Sequence, residues 1–146
     1  MPERRLGDGI LARAHSVAAI RHELDKQGRY IALHLLGTGN PISIAIYAVL
    51  GADSFDGLEW CQTVVDFDTA LLFHLSQFDF LDQQSAWADA GLSFHAQALT
   101  HNLEFYVNWM RRLRASIHEG KAVDFCRFSF PERVFQRCSD EFGWKQ

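Results

Sequence analysis

The chain has 146 residues, 48% of them apolar, enough for one domain with a real hydrophobic core, so disorder of the whole chain is excluded. Eighteen acids against fourteen Lys and Arg leave a formal charge of −4, which excludes a chain-wide basic field of the kind that grips nucleic acid by charge alone. Three widely spaced cysteines, Cys61, Cys126 and Cys138, form no CxxC pair and suit reduced thiols. With no signal-peptide pattern and no apolar run near about 18 residues, the expected address is cytoplasmic, away from membranes.

The opening MPERRLGDG is charged and glycine-rich and reads as a lead-in arm over residues 1–10. Leu11, Ala14, Val17, Ala18 and Leu24 then space an amphipathic helix over residues 11–27, with Asp8 as cap and Gly28 as stop. YIALHLL, residues 30–36, is a short continuous apolar run, the pattern of a strand buried on both faces of a parallel sheet. GTGNP turns the chain, and Pro41 suits the first turn of a helix over 41–50 that Gly51 ends. A second strand over 54–60 completes the alternation helix, strand, helix, strand, the smallest parallel α/β unit.

Beyond Trp60 the spacing predicts an aromatic helix over 67–81, mixed structure over 82–94 and a long helix over 96–118. Along that helix Leu99, Leu103, Tyr106, Met110, Leu113 and Ile117 step by four and three into one packed stripe, which Phe105 and Trp109 widen. Gly120 ends it. The tail, residues 125–146, carries Phe125, Phe128, Phe130, Phe135, Phe142 and Trp144, which need a surface in the domain or on another chain. Only two parallel strands can be placed, and such a pair leaves both edges unpaired. The pattern therefore predicts part of a larger sheet or barrel, completed by a longer parent chain, a separate subunit or another copy.

The residues suited to chemistry gather at the ends of those strands. Gly37 and Gly39 follow the first one, where α/β proteins place ligands, and either allow a ring or phosphate close to the backbone or simply make a tight turn. Asp56 in SFDGLEW must find donors, and can serve as nucleophile, general base or hydrogen-bond anchor. Asp53 reads as a capping acid, Glu59 as a partner for a base edge or an arginine, and His34 as a core or cleft histidine. Cys61, His74, His95 and His101 have no metal-ligand spacing, so neither metal nor cofactor is expected.

LLGTGNP followed by GADSFD resembles the late barrel segment of the queuine/archaeosine tRNA-ribosyltransferases, the tRNA-guanine transglycosylases. In that family a turn of the form MGVGKP precedes GxDxFD, whose last acid attacks the ribose. The separation of 19 residues from Gly37 to Asp56 agrees with that pattern. THNLEFYVNWMRRLRASIHEGK similarly resembles the family's closing helix, so the resemblance covers about residues 30–124. Two features depart from it: the CxCxxC zinc cluster that should precede His101 is missing, and GLEWCQTVVDFD replaces a basic PTR stretch.

The resemblance implies an α/β fold, a partial TIM-type (β/α)8 barrel comprising the last two parallel strands with their helices and a helical carboxyl-terminal extension. The lead-in arm, a barrel segment over 11–124 and the aromatic tail would be its parts. It implies a segment or subunit of a 7-deazaguanine base-exchange enzyme acting on guanosine in tRNA or DNA, active only when the rest of the barrel is supplied. Asp56 would be the nucleophile, Leu36, Gly37, Gly39, His34 and Glu59 would bind substrate, and Arg111, Arg112 and Arg114 would be candidate phosphate contacts. The competing expectation is a noncatalytic module that completes or regulates another barrel protein, or that self-associates. Truncation of a longer polypeptide is a third.

Overall fold

In the computed structural model, which describes residues 1–144, helix boundaries follow local punctuation. α1 (Gly9–Asp25) begins after Asp8 and buries Ala14 and Val17. α2 (Pro41–Val49) is capped by Asn40, whose side-chain oxygen accepts the Ile42 and Ser43 amides at 3.0 and 3.1 Å. Every residue of α2 from Pro41 to Tyr47 is buried, so this helix has no solvent face and is the centre of the molecule.

Around it β1 (His34–Leu36) and β2 (Ser54–Asp56) pair in parallel, with His34 opposite Ser54 and Leu36 opposite Asp56. α3 (Glu59–Gln62) leads into an antiparallel hairpin of β3 (Thr63–Val65) and β4 (Leu72–His74). Two 3-10 turns follow, then α4 (Phe94–His118), α5 (Ala122–Ser129) and α6 (Glu132–Phe142).

The expected barrel segment is not what the chain forms. Among the described residues the structure is 60% helical, with four three-residue strands in two separate open sheets, so there is no (β/α)8 wall for a complementary barrel fragment or a second copy to complete. The chain covers one of its sheet edges and most of its tail aromatics instead. The outer edge of β1 is met by the first residues: the Leu36 amide donates to the Met1 carbonyl and the Met1 nitrogen to the His34 carbonyl, each at 2.8 Å. Phe125, Phe130, Phe135 and Trp144 fold back into one core with Leu35, Ile46 and Trp109. Most of the tail finds its surface within the same chain, while Phe128 stays 81% exposed; its last two residues, 145 and 146, lie outside the described ones.

Three local expectations are also corrected. Residues 67–81 form no α-helix, because Asp66 bends the chain: its carboxylate accepts from the Asp68 amide and the Thr69 hydroxyl, and Ala70 takes φ +58° in the turn between β3 and β4. Burial pushes the Asp66 carboxyl up, but hydrogen bonds from Thr69, Gln84 and Asp68 outweigh it and hold it below the usual range. The strands are shorter and wetter than expected: the first spans only His34–Leu36 and exposes His34 and Leu36 on one face, and the second stops at Asp56 rather than reaching Trp60.

The buried face of α4 is rotated from the predicted stripe. Ala98, His101, Asn102, Phe105, Trp109 and Leu113 are buried, while Leu103 and Ile117 are 47% and 46% exposed. Aromatic area decides the rotation. Phe105 and Trp109 stack at 5.3 Å and Trp109 meets Phe125 edge-on at 4.9 Å, so the large aromatic side chains take the inner side of the helix. Among the described residues no helix is long and apolar enough to cross a membrane.

Candidate functional site

The turn after β1 is built on Gly37, whose φ of +79° lets the chain reverse at once. The reversal brings the Gly37 amide to Asp56 Oδ1 at 2.7 Å and the Thr38 amide to the Asp56 carbonyl at 2.5 Å. Asp56 thereby closes the loop between the parallel strands. Its other oxygen, Oδ2, lies 3.7 Å from His34 Nε2, too long for a hydrogen bond, while His34 Nδ1 lies 2.8 Å from Ser54 Oγ. His34, Leu36, Ser54 and Asp56 share the exposed face of the two-stranded sheet, as their alternate positions require.

Past the turn, Gly39 and Gly57 touch backbone to backbone. A Cβ on Gly57 would stand 2.5 Å from the Gly39 nitrogen and 2.7 Å from its Cα, and a Cβ on either glycine would run into the Glu59 carboxylate. Tyr106 fixes this wall from α4, its hydroxyl donating to the Gly39 carbonyl at 2.6 Å. Burial, reinforced by the Glu59 charge, pushes the Tyr106 phenol pKa up and keeps it a donor.

Between the wall and α4 lies a cavity of about 400 Å³, lined among others by Thr38, Phe55, Asp56, Trp60, Met110 and Arg114. Its size is that of a small-ligand site. Thr38 is 1% exposed and its hydroxyl has no hydrogen-bond partner among the described residues, an exception that a buried polar group seldom makes. On the far side of Gly57 a second recess carries Gly37, Asp56 and Glu59, and beyond Met110 a groove continues past Arg114 to His118.

The structure brings together Asp56, Gly39 and Arg114 on the cavity, with Gly37 and Glu59 on the adjoining recess and His34 and Leu36 beside Asp56 on the sheet face. It separates the arginines. Arg111 lies on the groove, whereas Arg112 turns to α5, stacking over Phe125 at 5.4 Å and donating to Ser129 Oγ at 3.2 Å. The amino end of α2 is not offered to a ligand, because Asn40 takes its amides, and the Gly37 and Thr38 amides are taken by Asp56. Asp53 ties the preceding loop, accepting the Leu33 amide at 2.6 Å and pairing with Arg21 at 3.5 Å.

Sequence reasoning missed Thr38, Phe55, Gly57, Trp60, Tyr106 and Met110 as site residues. Gly57, directly after the acid in SFDGLEW, was the available signal of a close backbone approach. His101 is a core residue: fully buried, it hydrogen-bonds the Val65 carbonyl at 2.7 Å and packs on Phe67 and Phe78. Burial lowers its pKa, keeping the ring neutral. Among the described residues no three His, Cys, Asp or Glu converge as a metal site.

No family model matches the chain, and no curated protein matches it. Together with the two open sheets this overturns the resemblance to the tRNA-guanine transglycosylases and what followed from it: base exchange on tRNA or DNA, pentosyl transfer in a completed barrel, and the noncatalytic alternative of completing one.

Proposed function

We propose that the chain is a small-molecule-binding protein whose site is the cavity between the ends of β1 and β2 and helix α4. The ligand is a flat apolar molecule with a cationic or donor-rich head. Asp56 carries the reading: the Gly37 amide holds its Oδ1, Oδ2 takes no hydrogen bond among the described residues, and the residue lines the cavity beside apolar walls. Thr38 supplies a buried hydroxyl in need of a partner, and Phe55, Trp60 and Met110 supply contact for a ring. Asp56 acts here as an anchor, with His34, Leu36, Gly37, Gly39 and Glu59 shaping its surroundings. The reading includes a cytoplasmic address, supported by three free thiols, two of them buried.

Calorimetric titration with benzamidine tests it. Saturable binding is expected, and Asp56→Asn, which keeps an acceptor for the Gly37 amide, is expected to weaken it about tenfold or more, the effect of losing a charge-assisted hydrogen bond of roughly 1.5–3 kcal/mol. Equal affinity for both proteins, or no saturable binding, refutes the assignment.

A further inference from the structure

We infer that the ligand of this cavity carries a phosphomonoester at the end away from Asp56, received by Arg114 and Arg111; the inference rests on the binding reading above. Arg114 borders both the 400 Å³ cavity and the groove that runs on along α4, so one molecule anchored at Asp56 reaches it. Arg111, Arg114 and His118 stand three and four residues apart and therefore share one helix face, and all three line the groove. Among the described residues no carboxylate pairs with either arginine. Arg111 makes one long hydrogen bond, 3.3 Å to Asn108, and the nearby acids are engaged elsewhere: Glu104 accepts from Ser85 and Ala86, and Glu119 pairs with Lys121.

Complementing the helix dipole does not account for these arginines, since that effect fades within the last turn and only His118 lies there. The groove floor between the charges is apolar, with Leu103, Val107 and Met110, and Val107 is 56% exposed. Apolar contact between two opposite charges on one continuous cleft, Asp56 and Arg114, selects a ligand with a donor head and an acidic tail. Two guanidinium groups on one face favour a dianionic phosphate over a carboxylate.

Phenyl phosphate, benzoate and inorganic phosphate, titrated separately into isotope-labelled protein and followed by amide shifts, test the inference. Phenyl phosphate is expected to move signals of residues 107–118 and to bind at least fivefold more tightly than benzoate or inorganic phosphate. Arg114→Gln is expected to weaken it at least fivefold, and Arg111→Gln to weaken it too. Arg114 is exposed, so the variant keeps its fold, which circular dichroism checks. Absence of saturable binding by phenyl phosphate, indifference to Arg114→Gln, or benzoate binding as tightly overturns the phosphate. Should phenyl phosphate fail while benzamidine still binds through Asp56, only the acidic tail is lost. Should benzamidine fail while phenyl phosphate binds through Arg114, the cationic head is lost and the phosphate contact stands.

Discussion

Replacing Thr38 by valine is expected to make the free protein more stable and the ligand site weaker. Thr38 is 1% exposed, and its hydroxyl has no partner among the described residues, so the folded state carries a desolvated polar group. Such a group costs about 1–3 kcal/mol relative to hydration. Valine has nearly the same shape, and the Thr38 amide, which donates to the Asp56 carbonyl, is untouched. The expected gain is about 1–2 kcal/mol, the lower part of that range because a methyl fits a hydroxyl's space imperfectly. At this chain length it raises Tm by roughly 3–8 °C. Urea unfolding at neutral pH gives the free energy, and benzamidine titration of the same variant gives the affinity, which is expected to fall. A Thr38→Val protein less stable than the parent by 1 kcal/mol or more would show that the hydroxyl is satisfied within the fold and refute its assignment to a ligand.

Gly57→Ala places a methyl against the Gly39 backbone and must force the two loops apart, so it is expected to cost roughly 2–3 kcal/mol, read by urea unfolding, and to weaken benzamidine binding. Trp109→Ala is expected to cost about 3–5 kcal/mol, while Leu103→Ala, at a position 47% exposed, changes stability by only about 0.5 kcal/mol; the reverse order would restore the leucine stripe as the buried face of α4. His101 has a pKa lowered by burial, so the unfolded chain takes up its proton first. Stability is fully present above the unfolded histidine value near about 6.5 and is lost as pH falls below it, by at most about 1.4 kcal/mol per pH unit for this group. His101→Gln, compared with the parent by denaturation between pH 7.5 and 5, is expected to remove that slope.

Local signals marked the long helices well. Pro41 began α2 where its missing amide donor is tolerated, and apolar spacing placed α4 within two residues at its start. The parallel pair was legible in two apolar runs separated by a helix. What those runs belong to was not, since three-residue strands look alike in an open pair and in a barrel. The register that decides between them comes from remote contacts, such as Met1 against Leu36. The face of α4 was read only in part for a related reason: Phe105, Trp109 and Leu113 are buried as expected, whereas Leu103 and Ile117 are not. Leucines and aromatics both keep helical spacing there, and the choice between them depends on Phe125 and Phe130, which arrive from another helix.

The candidate site divides in the same way. Asp56 and the glycines stand out by residue type, whereas Thr38 and Tyr106 acquire meaning only when Tyr106 crosses 67 residues of chain to reach the Gly39 carbonyl.

Binding at the strand ends is tested most directly by a crystal structure of the benzamidine complex. The predicted result is an amidinium within about 3 Å of Asp56 Oδ2, with the ring between Trp60 and Met110. An amidinium bound at another carboxylate, with the space beside Thr38 and Asp56 left to solvent, would contradict it.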